Sequence, residues 1–139
     1  MNQFSQSSKR KLLTCHSDLQ ILCNRLIESY DFTVVCGHRG EEDQNRAFDE
    51  KKSTKRWPDS KHNTEPSLAV DLAPYEKTGI DWSRLQSCYF AGQVIGLANE
   101  LFRQGVMKHR IRPGIDWNLN SDIDDTKFFD SGHFEIIPN

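Results

Sequence analysis

Leu19, Leu22, Cys23, Leu26 and Ile27 recur at i, i+3, i+4, i+7 and i+8, which places them on one face of a helix. Ser17 or Asp18 stands where an N-cap is needed. The period then changes. Residues 31–37, DFTVVCG, are rich in β-branched side chains and close on glycine, so they read as a strand. Residues 41–52, EEDQNRAFDEKK, put acid first and base last, in the sense of the helix dipole, and predict a short polar helix. From Ser53 to Ser67 two prolines, Asn63 and several Ser and Thr predict a loop. SLAVDLAPY, residues 67–75, is a second strand, buried on both faces or packed on one face and lining a site on the other. Ser83 can cap a long helix to about Gln104, with Leu85, Tyr89, Leu97 and Leu101 turned inward and Gly105 as its stop. HRIRPGIDW is a short strand interrupted by proline. NLNSDIDDTK is a polar acidic loop, and HFEII, His133 to Ile137, is a last strand with alternating sides. Helices and separated strands mix in one small chain, so the expected class is α+β.

Composition changes this picture little. A chain of 139 residues, 36% hydrophobic and 27% charged, fits a single domain over 1–139, with the Ser- and Gln-rich first dozen residues loosely held. A net charge of -2 gives no argument for nucleic acid or an anionic membrane. No apolar run reaches the roughly 20 residues a membrane span needs. The N-terminus shows no secretory h-region, so the expectation is a protein without a signal peptide. Cys15, Cys23, Cys36 and Cys88 form no CxxC pair and read as reduced thiols, with Cys23 and Cys36 as small core residues.

The chemistry is concentrated around Asp71. A carboxylate inside the apolar run Leu68–Ala73 must be paired or metal-bound, because an uncompensated buried charge costs several kcal/mol. Its partner is an arginine, backbone donors or a cation. His62, on the loop feeding the strand, and His133, opening the last strand, can join Asp71 as three protein ligands. That set leaves a fourth position open, as catalytic zinc requires. Asp130, three residues before His133 across a Ser-Gly turn, can face the same pocket as a base. Two histidines so far apart form no recognised spacing, and the bland alternative is a hydrogen-bonded histidine and a carboxylate on an arginine.

SKH (60–62), AVDLAP (69–74), GIDWN (114–118) and DSGHFEI (130–136), in this order, resemble the phage endolysins that are zinc L-alanyl-D-glutamate peptidases. More widely they are similar to the D-alanyl-D-alanine carboxypeptidase and dipeptidase superfamily. The resemblance runs from about Leu19 to the C-terminus. It implies one zinc per chain on His62, Asp71 and His133 at the centre of an antiparallel sheet packed with helices. It also implies Asp130 as catalytic base and Arg39 near the substrate, supporting an oxyanion or a carboxylate. Two departures stand out. The family spacing SxHxxGxAxD has six residues between histidine and aspartate; here there are eight. The glycine is absent and Pro66 sits in the loop.

Several residues keep two readings. Arg39 is catalytic or a structural partner of Asp71 or Glu135. Glu135 shares the face of His133 and orients it, rivals Asp130 as base, or is an exposed charge. Asp116 and Trp117 resemble a family motif near the site, with Trp117 also a core anchor. His38 reads as a surface residue. His16 and His109 have no partner at useful spacing and read as exposed. Asp122, Asp124 and Asp125 read as a solvated loop without the EF-hand pattern.

The expectation is thus a monomeric zinc peptidase that cleaves the L-alanyl-D-glutamate bond of peptidoglycan. It would wait in the host cytoplasm and reach the wall through a holin lesion, with no nucleic-acid partner and no membrane insertion. The rivals are a D-alanyl-D-alanine carboxypeptidase or dipeptidase, and a non-catalytic wall-binding phage protein.

Overall fold

A computed structural model describes residues 2–76, 79–80 and 83–139. The elements run α1 (Gln6–Leu12), α2 (Ser17–Leu26), β1 (Phe32–Cys36), α3 (Glu41–Asp49), a 3₁₀ turn (Lys61–Asn63), β2 (Ala69–Glu76), β3 (Gly79–Ile80), α4 (Arg84–Arg103), β4 (Arg110–Pro113) and β5 (His133–Ile137). The main sheet has the order β1-β2-β5-β4, with β3 paired to β2, and these strand pairings are antiparallel. The expected α+β class with an antiparallel sheet is the architecture found.

Strand alternation explains how one sheet serves both core and site. Val70 and Leu72 of β2 and Phe134 and Ile136 of β5 turn to the core, against Leu19, Leu22 and Leu26 of α2 and Phe90, Val94 and Leu101 of α4. Ala69 and Asp71 of β2, His133 and Glu135 of β5, and Arg112 of β4 therefore share the other face. The register puts Asp71 opposite His133, Ala69 opposite Glu135, and Glu135 opposite Arg112. The carboxylate that interrupts an apolar strand thus lies on the face that is not core.

Three expectations change. The first dozen residues are not loose throughout, because Gln6–Leu12 is helical. Ser5 caps the helix through its side chain, and Ser8 Oγ accepts from the edge-strand amide of Val34 at 3.0 Å while pairing with Thr33 Oγ1 at 2.9 Å. Phe4 packs edge-on against Phe32. Sidedness was hidden because these contacts are to a distant strand. In α4, Leu85 and Tyr89 are exposed, at 87% and 59%. The buried stripe is Phe90, Ala91, Val94, Ala98 and Leu101, so the inward face is rotated from the one Leu85 and Tyr89 suggest. Ser83 caps α4, as expected, and Gly105 takes a positive φ of 75° after it. Cys36 is half-buried and lines a cleft rather than the core.

Candidate active site

A cleft of about 540 Å³ opens on the polar face of the sheet. His62, Asp71, Asp130, His133, Glu135 and Arg39 all line it. The loop before β2 places His62. Ser60 caps the 3₁₀ turn and Asn63 Oδ1 accepts from the Ser60 amide, a capping box that fixes the turn. The His62 carbonyl accepts from the Arg39 amide at 2.8 Å, so the two conserve a fixed spacing within the site. The longer stretch between His62 and Asp71 is folded back on itself through Thr64, whose hydroxyl donates to the Pro66 carbonyl at 2.8 Å. It does not displace His62 from Asp71.

His62 Nε2 and His133 Nδ1 stand 3.1 and 3.2 Å from the same oxygen, Asp71 Oδ1. The other nitrogen of each ring is already committed. His62 Nδ1 lies 2.8 Å from the Gly37 carbonyl, and His133 Nε2 lies 2.8 Å from Glu135 Oε1. Both partners can only accept, so both of those nitrogens carry the hydrogen. A neutral ring then turns a lone pair toward a carboxylate. Two lone pairs and an anion converging on one point need either extra protons or a cation between them. Without a metal, protons fill that need. Burial opposes charge on His62, but the Asp71 carboxylate outweighs it and raises the ring to about 10. Burial likewise opposes charge on His133, and Asp71 and Glu135 overcome it and raise its pKa. Burial pushes Asp71 up, yet the two imidazoles hold it well below the usual carboxylate range.

The donor types fit a divalent cation: two imidazole nitrogens flank one carboxylate oxygen, and each ring has its other nitrogen already committed. Ligand atoms of Cys36, His62 and Asp71, and of Asp71, Asp130 and His133, lie within 4.8 Å of one another, with Asp71 common to both groups. Asp71 is thus the hub, and Cys36 is a site neighbour that sequence periodicity assigned to the core.

Asp130 is half-buried, and burial and then the Asp71 charge raise its pKa. Its amide donates to the Gly114 carbonyl at 2.9 Å, and its carbonyl accepts from the His133 amide at 3.2 Å. Gly114 has no room for a side chain: a Cβ there would lie 2.3 Å from the Asp130 carbonyl oxygen and 3.0 Å from His133 Cβ. Gly132 is equally confined, 2.6 Å from the Leu72 carbonyl oxygen. These glycines bring the Asp130–His133 turn against β2 and β4. The packing role of Gly114 was missed, although it opens the GIDWN stretch and follows Pro113.

Arg39 donates to Asp71 Oδ2 at 3.3 Å and to Gln44 Oε1 at 3.1 Å, which fits its reading as a structural partner of Asp71 while it also lines the cleft. Glu135 is not an exposed charge. Its Oε2 pairs with Lys61 Nζ at 3.1 Å and Arg112 Nη1 at 3.4 Å, so both carboxylate oxygens are engaged. Burial works against the Glu135 charge, but His133 and Lys61 prevail and lower it to about 2. Trp117 is half-buried, lies 5.2 Å from the His133 ring and stacks on Phe128, on the cleft wall. Asp116 is not brought to the cleft; its carboxylate accepts from the amides of Asn120 and Ser121 and shapes the following loop. Lys61 and Arg112, which sequence reasoning did not select, are recognisable only once the strands are paired.

His16 and His109 depart from expectation. His16 Nδ1 caps α2 by accepting from the Asp18 amide at 3.0 Å, and His109 Nδ1 lies 2.8 Å from Asp18 Oδ2. They form a second group with Asp18, away from the cleft.

A family model described as phage L-alanyl-D-glutamate peptidase matches residues 1–137. The chain belongs to the phage L-alanyl-D-glutamate peptidase family. The L-alanyl-D-glutamate peptidase of Escherichia phage T5 is 30% identical over 141 residues, covering 97% of this chain and 98% of that one. The crystal structure of the Serratia marcescens L-Ala D-Glu endopeptidase ChiX matches with a TM-score of 0.72 at 19% identity, over 98% of this chain and 91% of that one. That likeness extends the fold agreement to a bacterial protein. Among the described residues no helix is long and apolar enough to cross a membrane.

Proposed function

We propose that this protein is a zinc peptidase of the phage lysis system that hydrolyses the L-alanyl-D-glutamate bond of peptidoglycan stem peptides. The observation that carries this reading is that His62 Nε2 and His133 Nδ1 stand 3.1 and 3.2 Å from the same oxygen, Asp71 Oδ1, in a cleft that Asp130 also lines, in a member of this family. His62 Nε2, Asp71 and His133 Nδ1 would hold one zinc ion per chain. When bound, zinc lowers the pKa of a coordinated water to about 7 and polarises a carbonyl. The chain's own residues do the rest. Asp130, with its pKa raised by burial, accepts the proton of the attacking water and can return it to the leaving amine. Arg39 fixes Asp71 through Oδ2, leaving Oδ1 to the two imidazoles, and adds positive charge where the carbonyl oxygen gains negative charge. Glu135 fixes the His133 tautomer. Trp117 walls the cleft beside His133.

The similarity to the phage T5 peptidase supports the wider assignment. The protein acts as a monomeric endolysin, stays in the host cytoplasm until lysis, and reaches the wall through a holin-type lesion. Metal analysis of the purified protein, with mass spectrometry of digested peptidoglycan, tests the core of the reading. About one zinc per chain and new N-terminal D-glutamate are expected. Released D-alanine, or no product from the zinc-loaded protein, would refute it.

A further inference from the structure

We infer that Arg112 binds the free carboxylate of the D-glutamyl residue beside the scissile bond, so that the protein distinguishes a glutamyl from an isoglutaminyl stem. This rests on the peptidase reading above. A glutamyl residue in a chain has two carboxyl groups, and the chain continues through only one. The other remains ionised or is capped as an amide. When the side-chain carboxyl carries the chain, the free group is on the α-carbon, one bond from the scissile nitrogen. An enzyme cutting at that nitrogen meets this charge next to the reacting carbonyl.

The cleft is built for an anion. Five cations line it, Arg39, Lys52, Lys55, Lys61 and Arg112, against the three carboxylates Asp71, Asp130 and Glu135. Most of the cations are already engaged. Arg39 holds Asp71 and Gln44. Lys61 Nζ holds Glu135 and donates to the Ile136 carbonyl. Lys52 pairs with Glu50 and is 74% exposed. Arg112 differs. One long contact, Nη1 to Glu135 Oε2 at 3.4 Å, engages it. Its Nε is buried with no partner among the described residues. An arginine fork binds a carboxylate through two adjacent N–H groups, and the Nε edge of this fork is unmatched. A buried unmatched donor is destabilising until something accepts from it.

Its place in the sheet fits the task. Arg112 is opposite Glu135, and Glu135 is two residues from His133 on the same face. That sets Arg112 one strand over and about 7 Å along from the ligand line. Arg39, which follows β1 at the opposite edge, is on the other side of Asp71. The inference sets the peptide across the sheet with its reacting carbonyl at the ligands and its leaving side on the β4 side, where Arg112 stands.

The test uses two acetylated peptides, L-alanyl-D-glutamyl-L-lysine and L-alanyl-D-isoglutaminyl-L-lysine, both linked through the glutamyl side chain. They differ only in carboxylate against carboxamide. The zinc-loaded wild type should favour the carboxylate peptide by roughly 10–100-fold in kcat/KM, mostly through KM. Arg112→Gln should bring the ratio near one by losing the carboxylate peptide alone. Arg112→Lys should keep part of it. Because both rates come from one preparation, a loss of folded protein cancels from the ratio. A wild-type ratio near one overturns the inference. So does an Arg112→Gln ratio like the wild type's, or one that Lys55→Gln removes instead. An equal fall on both peptides in Arg112→Gln also overturns it, since Arg112 would then act only through Glu135 and His133. If the wild type cuts neither peptide, the peptidase reading itself fails and this inference falls with it.

Discussion

Two clusters in this molecule have the same composition, two histidines and one aspartate, and different chemistry. At His16, Asp18 and His109 every contact joins a donor to an acceptor. The Asp18 amide donates to His16 Nδ1, while Asp18 Oδ2 accepts from the Lys108 amide at 3.0 Å and from His109 Nδ1 at 2.8 Å. The cluster is complete with the protons it has, and it ties the start of α2 to the entry of β4. At His62, Asp71 and His133 the outer nitrogens are locked as donors to Gly37 and Glu135, so each inner one meets the carboxylate with an added proton or, in the neutral ring, with a lone pair open to a cation. Residue type is alike in both. What distinguishes a cation site is the group on the far side of each ring.

The largest difference should appear when ligands are removed. His133→Ala or Asp71→Asn is expected to reduce bound zinc from about one per chain to a trace and to bring peptidoglycan hydrolysis to background, since the ion then has two protein ligands. His109→Ala should leave both unchanged. Elemental analysis and a turbidity assay on the three variants read this directly. Zinc retained in His133→Ala, or lost in His109→Ala, would reverse the roles of the clusters.

Next comes the division of work between two carboxylates near His133. Asp130→Asn can still hydrogen-bond a water but cannot take its proton, so it should keep zinc and lose roughly 10²–10⁴-fold in kcat. Glu135→Gln leaves a carbonyl to accept from His133 Nε2 but removes the charge that Lys61 and Arg112 balance. It should weaken zinc binding by about 10–100-fold and lose much less turnover once zinc is saturating. The reverse pattern would move the base to Glu135.

Which of these features the sequence reveals depends on how local they are. The period of 3.6 in α2, the apolar run of β2 and the alternation in β5 are properties of single segments, and they located the buried face of α2, the strand that carries Asp71 and the strand that carries His133. The order SKH, AVDLAP, DSGHFEI singled out His62, Asp71, Asp130 and His133, and all four line one cleft. Features that need two distant segments stayed hidden. Asp18 meets His109 across 91 positions. Lys61 and Arg112 meet Glu135 only after β5 pairs with β4 and the loop before β2 folds over it. Gly114 looks like an ordinary turn glycine until Asp130 is placed 2.3 Å from where its Cβ would be. The phase of α4 was missed because Leu85 and Tyr89 are apolar yet exposed, and only the buried stripe from Phe90 to Leu101 shows which side faces the sheet.

The clusters should also differ in their response to pH. In the metal-free protein the His62 ring is raised to about 10, so at neutral pH it binds a proton that a metal must displace, and His133 is raised in the same direction. The sign follows: affinity for zinc rises with pH until the pH passes those raised values, and falls as the solution is acidified. With the His62 proton displaced, apparent affinity should change by about 10-fold per pH unit near neutrality. Calorimetry in buffers of different ionisation enthalpy counts the protons. A release near zero at pH 7 would mean that the rings already present free lone pairs.

The smallest effect belongs to the second cluster and is one of stability alone. Asp18 is 2% exposed, and its Oδ2 receives two donors that close the junction between α2 and the segment leading to β4. Asp18→Asn keeps one acceptor oxygen of nearly the same shape but carries no charge and brings an amide NH₂ into a buried place. The Lys108 amide can still be satisfied, whereas the hydrogen bond from His109 is weakened or lost. A hydrogen bond to a charged group contributes about 1.5–3 kcal/mol, so unfolding in urea should occur at lower concentration by a comparable free energy with an unchanged slope. The cleft lies on the other side of β2 and shares no side chain with this junction. Zinc content and kcat of the folded variant should therefore match the wild type. A variant as stable as the wild type would show that the Asp18 contacts contribute nothing net, and one that loses zinc would show that the two clusters are coupled through the sheet.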